Sequence, residues 1–177
     1  MSYYDDIYEV AVDHHYLIST DDAARIGVPS VELAKLAYRG KLENISHGLY
    51  RLARYVPSNI DPYAVAVARM GDGAYLYGES VIAMLELAPT NPAYICVAIP
   101  RRTRRKVPRS IRVKKASAAD TVTEYEGVPS QSVACAIASA KDTMMDDRLR
   151  AAAKRAREEG YLIGREYDDL RESMGWR

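Results

Sequence analysis

The sequence predicts an α+β protein, and three observations carry that reading. Ser19–Leu52 runs as helix, tight turn, helix and short hairpin. Pro57-Ser58-Asn59 then breaks the periodic pattern, as a linker does. Beyond it, helical stretches alternate with the apolar run Tyr94–Ile99, which is closed by Pro100. The expected organisation is a winged helix-turn-helix domain over residues 1–56, followed by a small α/β domain over 57–177.

The first helix is expected over Asp5–Tyr16, with Ile7, Val10 and Ala11 near one face. Thr20 is placed as the cap of the next helix, because its hydroxyl can accept an orphan backbone N–H. Asp21 and Asp22 follow in the first turn, where the helix dipole favours negative charge. Gly27 ends that helix, and Pro29 and Ser30 open the third, with Ser30 as its N-cap. In the third helix Leu33, Leu36 and Ala37 share a face that must be buried. Val31, Lys35 and Tyr38 project from the opposite face, and Arg39 lies on its flank before Gly40 terminates the helix.

A helix that reads DNA needs such an arrangement: an apolar stripe for the core, and long polar side chains for base edges and phosphates. Leu42–Ile45 and Leu49–Leu52 are expected to form the wing, with His47 at its tip and Arg51 within reach of phosphate. The DNA-contacting set is therefore Thr20, Ser30, Val31, Lys35, Tyr38, Arg39, His47 and Arg51.

In the second domain, helices are expected from Asp61 or Pro62 to Met70, and from Glu79 to Leu87. Tyr94–Ile99 reads as a buried strand, Ile111–Lys115 as a half-exposed one, and Thr121–Tyr125 as a further short strand. Pro129-Ser130 is expected to open a helix through Ala138, followed by helices over Asp146–Glu159 and Gly164–Met174.

Net charge near +1 does not advertise a nucleic-acid binder, so the distribution matters more than the sum. Residues 1–22 hold six acids and no Lys or Arg, whereas residues 101–115 hold nine bases and no acid. Arg101, Arg102, Arg104, Arg105 and Lys106 form a loop or strand edge there. They fit a solvated hairpin kept soluble by like charge, a phosphate-contacting ridge, or a docking patch for an acidic partner.

Catalysis finds little support. Cys135 lies among alanines with no basic neighbour to lower its pKa. His14 and His15 are adjacent, and with one other histidine in the chain neither a metal triad nor a Ser-His-Asp set is expected. Gly71-Asp72-Gly73 lacks the Lys-Ser/Thr of a phosphate loop. No enzyme, cofactor or metal is expected. Hydrophobic content of 48% without a long apolar run, an acidic start without a leader pattern, and two separated cysteines predict a soluble cytoplasmic protein.

A set of local motifs adds a resemblance. Ile18-Ser19-Thr20, Ala23-Ala24-Arg25-Ile26-Gly27, Arg39-Gly40-Lys41-Leu42 and Gly48-Leu49-Tyr50-Arg51 together resemble the N-terminal winged-helix domain of the AbiE-type antitoxins. These are the transcriptional regulators of type IV toxin–antitoxin systems. More weakly, "YLYGESVIAMLEL", "YICVAIPRRTRR", "IRVKKAS" and "EGVPSQSVACAIASA" resemble blocks of the antitoxin's second domain. The resemblance implies a repressor that binds inverted repeats in double-stranded DNA upstream of its own operon. It also implies a nucleotidyltransferase-like toxin as functional partner, countered without a stable complex. The alternatives are a stand-alone regulator without a toxin, and a protein-interaction module that docks through residues 101–115.

Overall fold

The computed structural model describes residues 1–177 and is α+β. The chain separates into two compact units, Met1–Arg69 and Met70–Arg177. This division falls downstream of the 56/57 boundary drawn from the sequence.

The first unit opens with α1 (Tyr3–Ala11), capped by a reciprocal Ser2–Asp5 box. The helix stops at Ala11 rather than running to Tyr16. His15 and Tyr16 adopt left-handed backbone conformations, and the Tyr16 N–H returns to the Ala11 carbonyl at 2.7 Å. That turn frees a strand the sequence did not suggest, β1 (Leu17–Ser19). Next come α2 (Thr20–Arg25), α3 (Ser30–Tyr38), β2 (Leu42–Ser46) and β3 (Leu49–Leu52). The strands form one antiparallel sheet in the order β1-β3-β2.

Two cap assignments need correction. Ser19, not Thr20, caps α2: its hydroxyl accepts the Asp22 N–H at 3.0 Å, while the Asp22 carboxylate accepts from both the Ser19 hydroxyl and N–H. The acid three residues on completes a capping box only from position 19, which leaves Thr20 inside the first turn. Ser30 is likewise the first residue of α3, and Pro29 occupies the cap without a side-chain hydrogen bond.

The core of this unit gathers Ile7, Ala11, Ile18, Ala23, Val28, Leu33, Leu42, Tyr50 and Leu52, with Leu36 and Ala37 packed against it. Here α2 lies on α3, α3 on β2, and α1 on β1 and β3. Beyond the irregular stretch 53–60, the Asp61 carboxylate accepts the Ser58 N–H at 2.9 Å as α4 (Asp61–Met70) begins.

The second unit is built on β4 (Tyr75–Leu76), β5 (Ile95–Ile99), β6 (Ile111–Lys115), β7 (Val122–Tyr125) and β8 (Val128–Gln131). Their order is β6-β5-β4-β8-β7, with β6 and β7 at the edges. The β5–β6 and β4–β8 pairs are parallel, and the other two are antiparallel. Its helices are α5 (Glu79–Met84), α6 (Val133–Ser139), α7 (Asp146–Glu158) and α8 (Gly164–Ser173). α6 packs against the other three.

Pro129-Ser130 does not open a helix. Glu126 and Gly127 both have positive φ, the signature of a two-residue hairpin whose twist matches its strands, and the hairpin draws Val128–Gln131 into β8. Ser132 then caps α6 by accepting the Cys135 N–H. Because β5 and β6 are parallel, residues 100–110 must carry the chain back along the sheet. They do so without a helix or strand.

Candidate nucleic-acid interface

In the first unit, α3 is held from beneath by Leu33, which is fully buried. Its outer face carries Val31, Lys35 and Tyr38 at helical spacing, so a stripe of side chains nearly two turns long points away from the core. Val31 is 56% exposed and Tyr38 94% exposed, so both are free to meet a ligand. Lys35 is exposed and pairs with Glu32 at 2.8 Å, an exposed contact worth little that a phosphate could displace. Ser30 and Arg39 are exposed at the two ends of the helix.

A second group sits at the hairpin. His47 is exposed at the β2–β3 turn, and Gly48 beside it has φ of +71°. The Thr20 N–H donates to the Gly48 carbonyl at 2.9 Å, so the Thr20 backbone braces the turn. A Cβ on Gly48 would stand 3.1 Å from the Thr20 hydroxyl.

Arg51 lies back on its own sheet. Its guanidinium stacks 3.8 Å from the Tyr55 ring centroid and approaches the Glu43 carboxylate, its cross-strand partner, at 3.6 Å. Only 16% of the side chain is exposed, and its Nε is buried without a partner. Reaching a phosphate would require breaking both contacts.

Residues 5–53 match the family model described as "Transcriptional regulator, AbiEi antitoxin". This segment is similar to the AbiEi antitoxin family. The match covers the first unit through β3 and leaves the second unit outside it. No curated protein matches the chain. Among solved structures, the chain is similar to a crystal structure of the RV2827C protein from Mycobacterium tuberculosis. The identity is 16% and the TM-score 0.43, over 96% of this chain and 81% of that one. No helix is long and apolar enough to cross a membrane.

Outside the AbiEi segment, Arg101, Arg102, Arg104, Arg105 and Lys106 are exposed on the β5–β6 connection. The connection is anchored at both sides of the Gly71–Gly73 turn. The Arg105 guanidinium lies over Gly71, and a Cβ on Gly73 would meet Pro100 at 2.9 Å. Arg101 and Arg102 border an open cleft of about 560 Å³ together with Asp72, Gly73 and Thr103.

Sequence reasoning missed two clusters in this unit. In one, the Tyr75 hydroxyl donates to Asp120 at 2.6 Å and the Cys135 thiol lies 3.6 Å from the same carboxylate. Burial, reinforced by Asp120, pushes the Tyr75 hydroxyl up to about 12. Burial also pushes the Cys135 thiol up, which makes it a poor nucleophile. For Asp120, burial acts upward but is outweighed by donation from Tyr75 and Gln131 and by the charge of Lys114, so its carboxyl sits below the ordinary value. The other cluster lies toward the β6 edge, where Arg112 stands over the Tyr94 ring at 4.4 Å and Lys114 over the Tyr77 ring at 4.2 Å. The alternation of Tyr75 with Tyr77, and of Arg112 with Lys114, was visible in the sequence. The strand pairing that joins them was not.

Proposed function

We propose that this protein is a cytoplasmic, non-enzymatic DNA-binding repressor that acts as the antitoxin of a type IV toxin–antitoxin system. It would autoregulate its operon through inverted repeats and counter a nucleotidyltransferase-like toxin without forming a stable complex. In this reading the first unit is a winged helix-turn-helix with α3 in the major groove. Lys35, Tyr38 and Arg39 meet base edges and phosphates there, Ser30 and Val31 lie at the helix start, and His47 rides on the wing. Thr20 and Arg51 support the wing from behind, and Arg51 reaches a phosphate only by leaving Tyr55.

The observation that carries the reading is the outward stripe Val31–Lys35–Tyr38 on a helix whose opposite side is locked by Leu33. The AbiEi family match over the same residues supports it. Fluorescence anisotropy on the operon's own upstream DNA, against a scrambled duplex and across a salt series, tests it. Sequence-preferring binding with a steep salt slope is expected. Removing a base contact through Lys35→Ala or Tyr38→Ala should cost about 1–3 kcal/mol on the operator. Flat curves at low salt for the unaltered protein would remove DNA from the account.

A further inference from the structure

We propose that the outer part of the second unit's sheet is a binding ledge for single-stranded nucleic acid, formed by Tyr94, Arg112, Tyr77 and Lys114. Strand register places these side chains on one face. Cys96 pairs with Arg112 and Ala98 with Lys114, while Tyr75 pairs with Ala98. The Tyr77 N–H donates to the Cys96 carbonyl, which continues that ladder by one more residue. By the twofold alternation of strands, Tyr94, Cys96 and Ala98 share a face with Arg112, Lys114, Tyr75 and Tyr77.

Exposure changes across that face. Tyr75, Ala98 and Gln131 are buried, Tyr77, Cys96 and Lys114 are half-buried, and Arg112 and Tyr94 are exposed, Tyr94 at 40%. On the opposite face Leu76, Val97 and Ser130 are fully buried. The sheet therefore turns its core side one way and shows a row of alternating rings and cations the other way, at its open β6 edge.

This pairing of features selects the ligand. Arginine and lysine on an edge strand also deter strand-on-strand association, but that purpose needs no exposed ring beside them. An acidic peptide would use the cations and leave the rings idle. A duplex hides the faces of its bases. An unpaired strand offers both phosphates for the cations and base faces for the rings, and stacking on aromatic side chains is how sheet surfaces hold such strands. The 100–110 connection adds further charge in the same unit, with Arg101, Arg102 and Arg104 exposed and no acid between residues 101 and 115. The ledge belongs to the second unit and α3 to the first, so the inference does not depend on what α3 contacts.

The test uses the full chain with fluorescein-labelled oligo(U) and oligo(dT) of about twelve nucleotides, a blunt duplex of the same length, and polyglutamate as competitor. Single strands are expected to bind in preference to the duplex at low salt. Tyr94→Ala should weaken them about tenfold and Tyr94→Phe should not, because stacking needs the ring and not the hydroxyl. Arg112→Ala with Lys114→Ala should lower the salt slope by about one to two phosphates. Lys35→Ala should leave single-strand binding unchanged, which separates this surface from α3. Circular dichroism and Trp176 fluorescence confirm that each variant is folded. The proposal is overturned if Tyr94→Ala binds like the unaltered protein, if the duplex binds as well as the single strands, or if polyglutamate displaces the oligonucleotide at equal charge.

Discussion

Replacing Leu33 with alanine should release α3 from its unit while changing nothing on the face that α3 presents. Leu33 is fully buried and sits in one apolar cluster with Ile7, Ala11, Ile18, Ala23, Val28, Leu42, Tyr50 and Leu52. The change removes three carbons, roughly 2.4 kcal/mol at about 0.8 kcal/mol for each buried methylene. The cavity left among side chains that cannot fully collapse raises the total to about 2.7–5 kcal/mol. A unit of this size has on the order of 3–10 kcal/mol of stability in all, so roughly a quarter of it at the least would be lost. The control is Val31→Ala, two residues away on the exposed face, which should cost less than about 0.5 kcal/mol. Native-state hydrogen exchange, followed by mass spectrometry over peptides from residues 1–69, reads both. The most protected amides should exchange about a hundred- to several-thousand-fold faster in Leu33→Ala and nearly unchanged in Val31→Ala. Equal effects from the two variants would refute the assignment of inner and outer faces on α3.

Two further outcomes follow from particular contacts. Ser19→Ala removes the α2 capping box and should cost about 1 kcal/mol by urea denaturation, more than Thr20→Ala, whose hydroxyl caps nothing. Asp120 has a folded-state pKa below its unfolded value, so the stability it contributes is present above the unfolded pKa and is lost as pH falls through the folded one. Asp120→Asn should therefore flatten the acid limb of stability against pH, measured by urea midpoints between pH 3 and pH 7, and an unchanged slope would show that this carboxylate is not the group being titrated.

Local signals were the legible ones. The helix Ser30–Tyr38 and the hairpin after it could be read because apolar spacing and the glycines at 40 and 48 are set within a few residues of each other. β1 and β4 could not: each has two or three residues, and their partners lie roughly twenty to more than fifty residues further along the chain. Pro129-Ser130 looked like a helix start because the true cap, Ser132, is only two residues on, and a positive-φ hairpin at Glu126-Gly127 decides the matter from upstream. The same division applies to the sites. Exposure of Lys35 and Tyr38 follows from helical phase, which is local. The posture of Arg51 depends on Glu43 across the hairpin and on Tyr55 beyond it. The ledge of Tyr77, Tyr94, Arg112 and Lys114 exists only once three strands are paired.

Ser19 is at once the last residue of β1, opposite Leu49, and the residue whose side chain closes the start of α2. The next residue, Thr20, ties the hairpin turn to that helix through Gly48. The β2–β3 hairpin is thus tied closely to its unit: strand end, helix start and turn share two consecutive residues. A ligand meeting this surface finds it already ordered, so little conformational entropy is lost on contact, and what it gains from each polar group goes into affinity rather than into arranging the loop. The same stiffness narrows its range, because a ligand of different shape must be met by moving the whole unit and not by bending its hairpin.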